Sequence, residues 1–142
     1  MERFGTPRQP FADGVQVEEA PRARVEIILP QPSASLALAG LEGFSHAHLI
    51  TLFHLNTGWR PSVKPPGAAE AQGVFATRSP HRPNSIGLST VRVVGVDHKG
   101  GILHFEGVDL LEGTPVLDIK PYVKYSDSYP NATTGWLEAR VD

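Results

Sequence analysis

Glycine and proline interrupt this chain so often that no long helix can form in it. The 142 residues include 14 Gly and 13 Pro, about 19 % of the chain against a usual ~12 %. Between these breaks the apolar residues fall into short runs. RARVEIILP, from Arg22, alternates at Val25, Ile27 and Leu29 before Pro30 and Pro32 close it, which predicts a strand. Ser33 or Ser35 is placed to cap a short helix over Leu36, Ala37, Leu38 and Ala39, stopped by Gly40. HAHLITLFHL, His46 to Leu55, has a length and β-branched content that favour a buried strand, although the pattern alone also admits a helix; as a strand it puts His46, His48, Ile50, Leu52 and His54 on one face. Further strands are expected at Gly73–Thr77, at Leu88–Val96, at Ile102–Glu106 after an HKGG turn, and at Pro115–Ile119. WRPSVKPPGAAEAQ is too rich in proline for a continuous helix or inner strand and reads as a stiff rim or lid. The N-terminal MERFGTPRQPF has no periodicity and reads as extended or looped. Many short strands with a lone short helix predict a mostly β protein, a small single-domain β-barrel with long Pro-rich loops. The length suits a single core over residues 1–142.

Composition narrows the chemistry. Without cysteine, disulfides, thiolate-bound zinc and thiol nucleophiles are excluded, and a reducing cytoplasm is the expected home. The apolar run Leu49–Leu55 contains His54 and is far short of the ~18 residues of a membrane span, so no membrane partner is expected. The net charge of −2 gives no general basic field for nucleic acid. Charge is unevenly spread, however: Arg60, Lys64, Arg78, His81 and Arg82 are opposed only by Glu70, while acids gather at Glu18–Glu26 and Asp97–Glu112. A local basic patch is therefore expected in an acidic protein.

Three constellations can carry chemistry. In ATRSPHRPNSIG, Pro80 and Pro83 stiffen a stretch bearing Arg78, Ser79, His81, Arg82, Asn84 and Ser85. Such a donor array suits a carboxylate, a phosphate or a base edge, although a solvated turn pairing with surface acids has the same composition. In GVDLLEGTPVLDIKPY, Asp118 and Lys120 lie two apart and share a strand face, where each adjusts the other or forms a plain surface ion pair. Asp109 and the backbone of Leu110–Gly113 could receive hydroxyl and amino groups of a small cofactor, or EGTP is merely a turn. The HxH pair of His46 and His48, with His54, resembles the half site of cupin oxygenases, but ITLFHLNTGW lacks the Glu that follows there, so no metal is expected. Dinucleotide, Walker and GxSxG patterns are absent from the sequence.

GVFATRSPHRPNSIG, Gly73 to Gly87, resembles the signature of the TsaA-like family, also called YaeB-like or TrmO-like, of S-adenosylmethionine-dependent tRNA methyltransferases. TPRQP, LEGFSH, WRPSVKPPG and DLLEGTPVLDIKPY accompany it in the family's order across nearly the whole chain. The resemblance implies a β-barrel, a homodimer with shared sites, and N6-methylation of N6-threonylcarbamoyladenosine beside the tRNA anticodon, with tRNA and not DNA as partner. It implies cofactor contacts at Pro7, Arg8, Gln9, Phe53, His54, Arg78, Leu88, Asp109, Leu110, Leu111, Glu112 and Gly113. It puts the RNA near Arg82, Asn84, Lys120 and Tyr122. Family members usually carry a strand of the type IGxIxSP before PRQ; nothing matches it here, and Ser85 stands where the family usually has Pro. Methylation at a pyrimidine ring carbon usually needs a thiol whereas an exocyclic nitrogen does not, which agrees with the lack of cysteine. Asp118, oriented by Lys120, is the candidate base, and Arg78 or Arg82 the candidate partner of the threonyl carboxylate. A non-catalytic barrel that binds S-adenosylmethionine or a nucleotide is the alternative.

Overall fold

Alternation of apolar and polar residues translates directly into the sheet of the computed structural model, which describes residues 14–53, 58–107, 110 and 112–139. Strands β1 (Gln16–Glu19), β2 (Arg22–Glu26), β3 (His46–Leu52), β6 (Ile86–Asp97), β7 (Ile102–Glu106) and β8 (Val116–Pro121) form one antiparallel sheet in the order β1-β2-β7-β6-β3-β8. Strands β4 (Ser62–Val63) and β5 (Gln72–Gly73) make a separate small hairpin in the Pro-rich loop. In β2, β3 and β7, alternate residues point inward, so Ala23, Val25, Ala47, Leu49, Leu103 and Phe105 are buried. Val25 faces Leu103 and Ala47 faces Val91 across the ladders, which builds the core from cross-strand pairs. Helix α1 (Ser33–Leu38) adds Ala34 and Leu38 to that core.

Extra residues at Val94 in β6 and at Leu117 in β8, where Ile50 and Thr51 pair with Asp118 and Val116, bend the sheet. Its ends are thereby brought together. Val15 N–H donates to the Thr114 carbonyl at 2.9 Å and Gly113 N–H to the Val15 carbonyl at 2.7 Å. The mostly β architecture with a short helix is as expected, but the described strands form an open sheet tied at its edges by these two bonds, rather than a continuous closed ladder. No helix among the described residues is long and apolar enough to cross a membrane.

Two local expectations are corrected. No strand spans Gly73–Thr77; Val74–Ala76 is a 3₁₀ turn, because the buried Thr77 turns its N–H and its hydroxyl back onto the Val74 carbonyl and so removes both from any ladder. Neither Ser33 nor Ser35 caps α1. Gln31 does so instead: its Oε1 accepts from Ser35 N–H while its Nε2 donates to the His98 and Lys99 carbonyls. Gly40, with φ of 90°, ends the helical segment as expected. Strand β1 and a second short helix, α2 (Lys124–Asp127), are additions to the expected elements.

The edge closure predicts a sensitive glycine. A Cβ on Gly14 would lie 2.4 Å from the Gly113 carbonyl oxygen, backbone that cannot swing aside. Gly14→Ala should cost about 1–3 kcal/mol in urea unfolding, whereas alanine at Gly43, which faces open space, should change little.

The His98 imidazole joins the β6–β7 turn to the segment after α1, with Nε2 2.5 Å from Glu42 Oε2 and Nδ1 3.3 Å from Ser35 Oγ. The hydrogen bond between them raises the His98 pKa above its ordinary 6.5 and lowers that of Glu42 below its ordinary 4.5. The His98 contribution is complete below 6.5 and lost as pH rises through the raised value; that of Glu42 is complete above 4.5 and lost as pH falls through the lowered one. His98→Gln should therefore lower Tm most between the ordinary values of the two groups, near pH ~5.5, and progressively less as pH rises through the raised His98 value, as thermal melts across a pH series would show.

Candidate active site

Strand β3 is paired on both sides, which arranges three strands' outward residues in rows. Leu88 of β6 faces Ile50, which faces Asp118 of β8; the next row is Thr90, His48 and Lys120. The last row is Arg92 and His46, continued by Tyr122, whose N–H donates to the His46 carbonyl at 3.1 Å. Asp118 and Lys120 thus share the exposed face as expected. Lys120 Nζ lies 3.5 Å from Asp118 Oδ2, and Asp118 Oδ1 accepts from Ile119 N–H at 2.8 Å. Asp118 is 48 % and Lys120 64 % exposed, so the carboxylate is open to an incoming substrate.

His46 and His48 also lie on this face. His48 Nδ1 is 3.0 Å from Thr90 Oγ1 and its Nε2 3.2 Å from Asp127 Oδ2, while His46 Nδ1 is 2.7 Å from Ser45 Oγ. The Tyr122 ring packs against both imidazoles, with centroids 5.5 and 6.1 Å away. Val123 N–H, and then His48, hold the Asp127 carboxyl below the usual carboxylate range. Among the described residues no group of three or more His, Cys, Asp or Glu side chains is placed to hold a metal.

At the C-terminal end of β3, three separately numbered motifs meet. Leu52 N–H donates to the Pro115 carbonyl at 3.1 Å, and Phe53 N–H to the Ser85 carbonyl at 2.8 Å. The Phe53 ring lies over Gly87, where a Cβ would come within 2.5 Å of it. Gly87 is therefore required for the ring to pack there. Nearby in sequence, Glu112 and Gly113 line a cavity of about 600 Å³ with Gly14, Val15 and Arg24. Leu110 is half-buried against the core.

The signature segment is organised by its own side chains. One terminal nitrogen of Arg82 donates to the Thr77 carbonyl at 2.6 Å and the Ser79 carbonyl at 3.2 Å. Thr77 Oγ1 accepts from Ser79 N–H, and Ser79 Oγ from His81 N–H. Arg82 thus staples the loop, a role the composition did not disclose. Arg78 has no ion-pair partner among the described residues and lines a second groove with Lys64, Phe75 and Trp136.

The expected site residues fall into three places. Phe53, Ser85 and the loop ending at Pro115 converge at one end of β3; Leu88, Asp118 and Lys120 lie along its outer face; Tyr122 stands at the other end. Six residues of strand separate the His46 and Leu52 rows, about 20 Å, so one chain does not bring Tyr122 to Arg82 and Asn84. Pro7, Arg8, Gln9, His54, Asp109 and Leu111 lie outside the described residues. Asp127 and Trp136 were missed, having no pattern to mark them; each acts through one contact distant in sequence.

The family described as tRNA-methyltransferase O N-terminal domain matches residues 1–128. The tRNA (adenine(37)-N6)-methyltransferase of Escherichia coli K12 is 41 % identical over 97 % of this chain and 59 % of its own length. A Pyrococcus abyssi protein named a probable S-adenosyl-L-methionine-binding protein is 49 % identical over 78 % of this chain and 59 % of its own. The chain thus spans about three fifths of the length of these curated relatives. The crystal structure of TrmO from Pseudomonas aeruginosa superposes with a TM-score of 0.76 at 38 % identity, covering 99 % of this chain and 67 % of that one. With its sheet, its signature loop and this match over most of its length, the chain belongs to the TrmO family.

Proposed function

We infer that this chain is a single domain that methylates N6 of adenosine 37 in tRNA with S-adenosylmethionine, its substrate being the N6-threonylcarbamoyl form beside the anticodon. The observation that carries this is the meeting of the Phe53, Ser85 and Pro115 segments at the end of β3, next to the exposed Asp118–Lys120 pair. The tRNA (adenine(37)-N6)-methyltransferase and the probable S-adenosyl-L-methionine-binding protein among its relatives supply the chemistry.

The residues fit the cofactor. The Phe53 ring over Gly87 offers an apolar face, and the cavity of about 600 Å³ beside Glu112 and Gly113 offers a carboxylate and exposed backbone for amino and hydroxyl groups. Arg78, Leu88 and Leu110 would join them, with Pro7, Arg8, Gln9, His54, Asp109 and Leu111 supplied from the rest of the motifs. When bound, S-adenosylmethionine supplies an electrophilic methyl on a sulfonium that departs as a neutral thioether. The protein's task is alignment and the fate of one proton. In a substituted urea the N6 lone pair is delocalised, so removal of the N6 proton assists attack. Asp118 accepts that proton at Oδ2, and Lys120 holds the carboxylate. Arg82 braces the loop with one nitrogen and has further donors for the threonyl carboxylate.

Within one chain Tyr122 is remote from Arg82, which supports a homodimer in which a second copy brings the two regions together. Sedimentation should then give twice the chain mass. The cytoplasm, where tRNA and the cofactor meet, is the proposed location.

The deciding assay offers labelled S-adenosylmethionine and tRNA from a strain without this activity. Transfer only to tRNA carrying threonylcarbamoyladenosine is expected; cofactor binding without transfer would identify a non-catalytic module. Asp118→Asn should slow single-turnover transfer by about 10²-fold or more with cofactor affinity unchanged, and an unchanged rate would remove Asp118 as base. Arg82→Ala should cost about 1–3 kcal/mol by orphaning two loop carbonyls, and should weaken discrimination against plain adenosine. Arg82→Lys should not restore it, since a lysine lacks the planar fork.

A further inference from the structure

The ring of Phe75 is 80 % exposed although its neighbours are fixed in place. Val74 and Thr77 on either side are buried, and Val74 N–H donates to the Pro61 carbonyl at 2.9 Å. The Trp136 indole N–H donates to the Ala76 carbonyl at 2.8 Å, and Arg82 grips the Thr77 carbonyl. An apolar ring is thus held toward water by a turn anchored on several sides. The ring faces a groove of about 760 Å³ whose walls include Lys64, Pro65, Pro66, Arg78 and Trp136. Among the described residues neither Lys64 nor Arg78 forms an ion pair and no acidic side chain lines the groove. In a chain of net charge −2 this joins an unpaired positive potential to an aromatic ring on an anchored turn.

We propose that this groove holds one unstacked RNA base against Phe75, next to the methylated nucleotide, with Lys64 meeting a flanking phosphate and Arg78 left to the cofactor. The proposal rests on the tRNA reading above and adds a second base-binding position to it. Apolar walls and a ring carried on an anchored turn can bind a base face with little backbone ordering, and the hydroxyls of Ser79 and Thr134 in the same groove can meet its edge. A typical protein interface buries a broader apolar surface than one ring in a groove supplies.

An anticodon stem-loop with 2-aminopurine next to the target adenosine tests this by fluorescence, with the full chain and S-adenosylmethionine present. The wild type should raise the probe's emission as the base leaves the loop's stack. Phe75→Ala should bind the stem-loop about 10- to 100-fold more weakly and lose the rise, with cofactor affinity and Tm unchanged, and Phe75→Trp should retain the affinity. Because the ring is uncharged, the salt dependence of the remaining binding should keep its slope. Equal affinity and emission in Phe75→Ala overturns the stacking position while leaving the methyltransferase reading intact. So does a change of oligomeric state in Phe75→Ala with the emission rise unaltered, which assigns the ring to a contact between copies. A wild-type chain that neither binds nor methylates tRNA overturns both.

Discussion

Everything the candidate site requires depends on β3 being paired along both edges. A strand with one free edge leaves its register to side-chain packing alone, whereas β3 is held by β6 through seven residue pairs and by β8 on the other side. This double pairing aligns Leu88, Ile50 and Asp118 in one row and Thr90, His48 and Lys120 in the next. Where the strand ends, its last donors are not left to solvent. Leu52 and Phe53 N–H groups pass to Pro115 and Ser85, so residues more than thirty apart in sequence meet at one point.

The edges of the sheet show the same economy. Val15 exchanges hydrogen bonds with Gly113 and Thr114, a contact so close that Gly14 has no room for a side chain. The exchange places the Glu112–Gly113 turn beside β1, and the cavity lined by both exists only because the ends of the sheet are drawn together. Bulges in β8 and β6 supply the curvature, so the cavity and the core both follow from distortion of the sheet.

Much of this was legible in the residues, for definite reasons. The apolar alternation of RARVE and HAHLITL is a period-two signal, and both became strands with the expected faces. Asp118 and Lys120 were legible as a pair because two residues apart on a strand is a local relation. Strand β1 was hidden because QVEE is exposed throughout and carries no alternation; only its backbone pairing with β2 makes it a strand. GVFAT looked extended by composition, yet Thr77 spends its donors on Val74, a competition that side-chain identity alone does not settle. Contacts such as His48 with Asp127 or Trp136 with Ala76 span 79 and 60 positions, beyond any local pattern.

Arg78 and Arg82 illustrate why a cluster of like residues need not act alike. The two are four apart in one Pro-stiffened loop and equally basic. Arg82 turns inward because the loop has left the ladder: with Val74–Ala76 in a 3₁₀ turn, the carbonyls of Thr77 and Ser79 need donors, and a guanidinium can serve both from one nitrogen. Once Arg82 has satisfied them, the loop is rigid without strand partners and Arg78 can remain outward without an ion pair among the described residues. The same brace fixes the turn on which Phe75 stands. Ser85, where the resemblance leads one to expect a proline, costs little stiffness because its carbonyl is bound by Phe53 and its hydroxyl lies 3.5 Å from the Arg82 carbonyl. One arginine turned into its own loop is what allows its neighbour, and the ring beside it, to face a ligand.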